Sequence, residues 1–140
     1  MTTYIKNSDG VQFRRSKFFR ITDADLARQP NPNVFDIQMP AGSVLIEGDI
    51  NVQTASNDAG TDVLDVGDAA SATRYANDLN LKTTGLKALT PTGFLMVAGD
   101  DGAPKIRLTR VPQNAGTSTA FVAFVRLEYL TEGVADATQG

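Results

Sequence analysis

Apolar and polar residues alternate with period two along much of the chain, and that period marks half-buried β-strands. Residues 44 to 54, VLIEGDINVQT, are the first case. Val44, Ile46, Ile50 and Val52 share one face with Gly48 and Thr54, while Leu45, Glu47, Asp49, Asn51 and Gln53 share the other. A glycine in mid-strand predicts a bend or bulge near Gly48. Residues 119 to 130, TAFVAFVRLEYL, are the second case. Phe121, Ala123, Val125, Leu127 and Tyr129 form an unbroken apolar face. The opposite face holds Val122, Phe124, Arg126, Glu128 and Leu130, and it is charged only in the middle. A solvated face is normally more polar, so part of this one is expected to be covered by another element or another subunit.

Shorter runs follow the same rule. VFDIQM puts Phe35, Ile37 and Met39 on one side, and KIRLTRV sets Ile106 and Leu108 against Lys105, Arg107 and Thr109. GFLMVAG is apolar on both sides, as expected of a strand covered twice. GDDGAP between these last two runs reads as a hairpin, and Asp9-Gly10 suits another tight turn. Helix signals are few. TDADLARQP predicts a short helix with Thr22 as N-cap, stopped before Pro30. AASATRYANDL predicts at most a turn or two of helix between strands. About eight short strands separated by turns predict an all-β fold, an antiparallel β-sandwich or barrel with one or two short helices.

The chain has 140 residues, which suits one domain with its own core. Within it the reading divides residues 1–33, an N-terminal arm with hairpin and short helix packed on the body or on a partner, from a β-sandwich body at 34–130 and a small polar tail at 131–140. The chain has no Cys and no His. That removes disulfides, thiolate zinc sites, the cysteine nucleophile, the commonest general base and the commonest transition-metal ligand. No cofactor and no metal is expected. No apolar run is long enough to span a bilayer, and no membrane partner is expected.

The acids give no catalytic pattern. Asp62, Asp65 and Asp68 stand three apart in DVLDVGD. The aliphatic and β-branched residues between them favour a strand. Asp62 and Asp68 then point one way and Asp65 the other, so they do not converge on one ion. The expected role is that of solvated strand and turn residues. The chain has three Glu, at 47, 128 and 132, and the first two are expected on outward strand faces with nothing to bring them together. No G-x-S-x-G elbow, phosphate loop or G-x-G-x-x-G is present. The chain is not read as an enzyme.

The formal net charge is −3, but it is uneven. FRRSKFFR, residues 13 to 20, holds Arg14, Arg15, Lys17 and Arg20 without an acid, interleaved with Phe13, Phe18 and Phe19. Three readings compete. A protein-contact segment ranks first, because Arg and Phe are enriched at interfaces. An edge strand with long stems lying over the sheet ranks second. Nucleic-acid binding ranks last, because the cations are few and the rest of the chain is acidic. The candidate partner-binding residues are Phe13, Arg14, Arg15, Lys17, Phe18, Phe19 and Arg20, with Val122, Phe124 and Leu130 from the second face of the late strand.

Three segments, MPAGSVLIEGDINVQTASN, AGTDVLDVGDAASATRYANDLNLKTTG and FVRLEYLTEGVADATQG, taken in order, resemble the capsid decoration or cement proteins of tailed bacteriophages. The likeness covers about residues 34 to 140. One departure is Ser71-Ala72-Thr73, where relatives often carry Asp-Pro-Asp before Arg-Tyr. The resemblance implies a jelly-roll-like sandwich that binds the outer face of a shell of major capsid protein in many copies, without catalysis. It further implies a virion location, synthesis in the host bacterial cytoplasm, and a homodimer or homotrimer on the shell. The alternatives are a glycan- or surface-binding module of a virion and, third, a small β-sandwich enzyme. The former usually presents Trp or Tyr platforms, and this chain has no Trp and only Tyr4, Tyr75 and Tyr129.

Overall fold

Eight strands and one short helix follow one another as β1 (Arg15–Thr22), α1 (Asp23–Ala27), β2 (Val34–Gln38), β3 (Ser43–Thr54), β4 (Asp62–Asp68), β5 (Ala76–Asn80), β6 (Gly85–Ala88), β7 (Lys105–Pro112) and β8 (Val122–Thr131). They belong to a computed structural model that describes residues 14–93, 96–99, 103–114 and 117–132. Phe13, the turn expected at Asp9-Gly10 and most of the expected tail lie outside the described residues.

The strands make two four-stranded sheets, ordered β1-β8-β3-β6 and β2-β7-β4-β5. The antiparallel pairs β1–β8, β2–β7, β3–β6 and β4–β5 nest inside one another like one long hairpin. The β3–β8 and β4–β7 ladders roll that hairpin into two layers. This is the jelly roll, an all-β sandwich, as the sequence predicts. β1 belongs to it, so residues 15 to 22 are part of the body and not only of an arm.

The core lies between the layers. Leu45, Ile50, Leu64, Ile106, Leu108 and Leu127 are among its fully buried side chains. Each contributes about 1.5–3 kcal/mol through burial. α1 closes one end with Leu26, which is wholly buried. Its start is a capping box: Asp25 N–H donates to Thr22 Oγ1, and Thr22 N–H donates to the Asp25 carboxylate.

Four expectations change. In β3 the register shifts between Leu45 and Glu47. The extra residue, Ile46, sends Leu45 into the core with Gly48, Ile50 and Val52, so strict alternation fails two residues before the glycine. Gly48 itself is needed for close packing, because a Cβ there would meet Arg126 O at 2.7 Å. GFLMVAG is not a strand among its described residues. It makes a single bridge, Val44 to Met96, and Ala98 N–H donates to the Asp68 carboxylate instead of to a neighbouring strand. Residues 76–80, expected as helical turn, are β5, held to β4 by its ladder. The strand β6 was not anticipated.

Candidate functional site

Alternation along β1 and β8 decides which side chains reach the outer face of the first sheet. Cross-strand partners share a face, so Ser16, Phe18, Arg20 and Thr22 stand outward beside Glu128, Arg126, Phe124 and Val122. Val122, Phe124, Arg126, Glu128 and Leu130 are all half-buried. Part of the cover comes from the chain itself. Phe18 stacks on Phe124 with ring centroids 5.6 Å apart and planes 3° from parallel. Phe18 nevertheless stays 68% exposed. Leu86 of β6, 66% exposed, adds an apolar point across the same face, opposite Asn51. Sequence reasoning missed it because a four-residue strand carries too short a period to read.

The middle of the face is an ion-pair network. Arg126 donates to Asp49 at 2.5 Å, to Glu47 at 3.1 Å and to Glu128. Arg14 donates to Glu47 at 3.0 Å and to Glu128 at 3.2 Å. Glu47 and Glu128, both expected on outward strand faces, are cross-strand partners, which the sequence alone did not show. They meet on an open sheet face and not across a cleft. Bonds from Arg126 and then Arg14 hold the Glu47 carboxyl below its usual pKa. A general acid needs the opposite shift.

The remaining basic residues divide. Arg15, Lys17 and Arg20 have no side-chain partner among the described residues. Phe19 faces the flank, where it stacks on Phe35 of β2 at 5.8 Å.

The three aspartates point as predicted but are not all solvated, which corrects the expectation for two of them. Asp62 and Asp68 are buried, and only Asp65 lies toward the surface, where it accepts from Asp78 N–H. Asp68 accepts from the N–H groups of Ala70, Ser71 and Ala98, and its carboxylate lies 2.9 Å from Arg74 Nε. It thus ties the β4–β5 turn to the 96–99 segment. Tyr75 is buried beside it, and its hydroxyl has no partner at hydrogen-bond geometry among the described residues. Burial first, and Asp68 second, push the Tyr75 pKa up to about 12.

Asp62 meets Arg110 of β7, a buried cation the sequence reading did not single out. Its signal was available: Arg110 follows Ile106 and Leu108 on the core face of KIRLTRV. Arg110 also donates to Asp23 at 2.5 Å and lies 5.0 Å over the Phe121 ring. Burial alone would lower the Arg110 pKa, but Asp62 and Asp23 more than offset it and the net shift is upward. Ser56 donates to Asp62, and Ser118 donates to Asp23. Beside this network is a cavity of about 600 Å³ lined in part by Asp23, Asp58, Arg110, Ser118 and Thr119. Several of its polar groups are already engaged: Asp58, for example, accepts from Gly60 and Asn114 N–H. The arrangement knits loops together. It presents no free nucleophile beside a base.

Among the described residues no group of three or more His, Cys, Asp or Glu is placed to hold a metal ion. No described helix is long and apolar enough to cross a membrane. No protein-family model matches the chain. No curated protein matches it either. Among solved structures the chain is similar to one from the cyanophage Pam1 capsid asymmetric unit, at 24% identity and a TM-score of 0.51. The match covers 85% of this chain and 82% of that one, so the two are about equally long. The likeness is one of fold.

Proposed function

We propose that this chain is a structural virion protein that binds the outer surface of a phage capsid and cements or decorates adjacent major capsid subunits. The observation that carries the reading is the jelly roll whose likeness, over most of both chains, is to a chain of similar length in a phage capsid asymmetric unit. The segment resemblance to decoration proteins points the same way. The chemistry described above is in keeping with it: among the described residues the buried acids Asp62 and Asp68 and the buried cation Arg110 are engaged in bonds that hold the fold together.

In this reading the contact surface is the outer face of the first sheet. Phe18, stacked on Phe124, supplies apolar area together with Val122 at the same end of β8 and Leu130 at the other end. Arg14, Arg15 and Arg20 supply charge at its margin. Each contact is small, and many copies on a symmetric shell add up through multivalency. The bound form is a homodimer or homotrimer, and the chain needs neither nucleic acid nor cofactor.

Mass spectrometry of purified virions, with a copy-number estimate beside the major shell protein, tests this. The expected result is a copy number in fixed proportion to the shell subunit. Absence from mature particles refutes it.

A further inference from the structure

The flank of the sandwich between β1 and β2 has a strand edge and a groove that the outer-face reading leaves unused. Among the described residues β1 is an edge strand, laddered to β8 on one side only. In an antiparallel pair, alternate residues turn their N–H and C=O groups to the partner and the others turn theirs away. No other described backbone group bonds to residues 15–21. Such an edge is a template for one more strand.

Three cations line this edge. Arg15 and Lys17 fall on one face of β1 and Arg20 on the other, and none has a side-chain partner among the described residues. Nearby Arg28 is different, since Asp25 holds it at 2.6 Å. Beside the edge runs a groove of about 590 Å³, with Lys17, Phe18 and Arg20 on the β1 side and the stacked Phe19 and Phe35 within it.

We propose that this flank takes an extended acidic segment of a partner protein, which adds to β1 as another strand of the first sheet. Ladder bonds hold the segment's backbone. Two acids placed two residues apart, about 6.6–6.8 Å along a strand, match Arg15 and Lys17. An apolar residue seats against Phe19 and Phe35. The mode is β-strand addition, in which main-chain bonds give affinity and alternate side chains give selectivity.

Charge decides the occupant. A second copy offering the same edge would bring the three cations of each chain to one seam, where Asp25, the acid that lines the groove, is already held by Arg28. A single nucleic-acid strand would neutralise the cations but gains nothing from the strand edge. It also needs open aromatic faces for its bases. Phe124 already covers one face of Phe18, and Phe35 covers one face of Phe19.

The inference deepens the capsid reading and rests on it only for the partner's identity. The test uses the isolated full chain and three fluorescent probes: a short peptide alternating glutamate and valine, the same peptide with lysine for glutamate, and a short single-stranded DNA. The acidic peptide is expected to bind, to slow amide exchange in β1, and to lose affinity about tenfold or more in Lys17→Glu/Arg20→Glu. The lysine peptide is expected not to bind. Thermal melts check that the double variant folds, and Lys17→Gln replaces it if it does not. No binding of the acidic peptide, or binding untouched by these changes, overturns the proposal, and tighter binding of the DNA assigns the flank to nucleic acid instead. The assay needs no virion. A chain missing from particles therefore sinks the capsid reading and leaves this one, whereas a virion protein that ignores the peptide sinks only this one.

Discussion

Arg110 and Asp62 form a doubly bonded pair in the interior: Nε reaches both carboxylate oxygens at 3.0 and 3.1 Å, and Nη2 reaches Oδ2 at 2.5 Å. Their side chains are 4% and 0% exposed. Removing one partner of such a pair strands the other charge, which typically costs about 3–5 kcal/mol. Asp62→Ala is expected near the lower end, because Asp23 still meets Arg110. The double change Asp62→Leu/Arg110→Met is expected to recover part of the loss, since it removes both charges of the pair, while Asp23 loses Arg110 but keeps its bonds from Ser118 and from Phe121 N–H. Denaturant midpoints of the three proteins decide it. A single variant as stable as the parent refutes the account.

Asp68 gathers three backbone N–H groups and lies against Arg74. Truncation to Ala leaves buried donors unsatisfied, each costing about 1–3 kcal/mol. Asp68→Ala is therefore expected to lower stability by about 3 kcal/mol or more. Asp68→Asn, which keeps the oxygen that accepts from Ala70 and Ser71, is expected to lose less. Equal losses in the two variants would show that the charge, and not the acceptor, matters.

These two aspartates also show where sequence reading stops. Period two put Asp62 and Asp68 on one face and Asp65 on the other, because side-chain direction in a strand is local. Their burial is not local. It depends on Arg110, 48 positions away, and on loop N–H groups brought in by the roll. The same limit explains β3, where a one-residue bulge at Ile46 moved Leu45 to the core. It also explains β5 and β6, whose few residues pair only because longer strands lie beside them. Thr22 as the N-cap was legible, since a cap is built from a few consecutive residues. The basic segment was legible as a candidate, but its division into a paired Arg14, a flank-facing Phe19 and an exposed Phe18 required the register with β8.

Stability should respond to pH at both ends. Arg126 and Arg14 hold the Glu47 carboxyl below its usual value. The unfolded chain then takes up that proton first as pH falls, so this contribution is present above about pH 4 and is lost as pH drops through the folded value. The Tyr75 hydroxyl titrates near pH 12 in the fold. Its contribution is present below about pH 10 and is lost between there and the folded value. Urea midpoints from neutral to acid pH, with Arg126→Gln as control, check the first arm, and the variant is expected to show a shallower acid loss. Tyrosinate absorbance at alkaline pH checks the second, and a Tyr75 signal that rises near pH 10 in the folded protein refutes it.

Phe18→Ala separates folding from contact. The side chain is mostly exposed, and what it adds to the fold is its stack on Phe124. Such pairs contribute about 0.5–1.5 kcal/mol beyond area burial. A melting shift of that size is expected, with a much larger loss of attachment to purified shells. Attachment unchanged within error would remove Phe18 from the contact surface.

Charge reversal at Arg14, Arg15 and Arg20 asks whether the basic margin is used. Arg14 makes ion pairs with Glu47 and Glu128 at the surface, where solvent screens them and they add little to stability. Arg15 and Arg20 have no side-chain partner among the described residues. The fold is therefore expected to persist. Each reversal changes the formal charge by −2, so three take it from −3 to −9. General repulsion from an acidic shell would then mimic loss of a specific contact. The neutral set Arg14→Gln/Arg15→Gln/Arg20→Gln removes that ambiguity, because it shifts the charge by half as much. If the margin contacts capsid subunits, both sets lower occupancy on particles lacking the wild-type protein, and the neutral set keeps most of the defect at physiological salt, where long-range repulsion is screened within about 8 Å. If only the reversed set is defective and added salt restores it, these arginines act through net charge and not through contact.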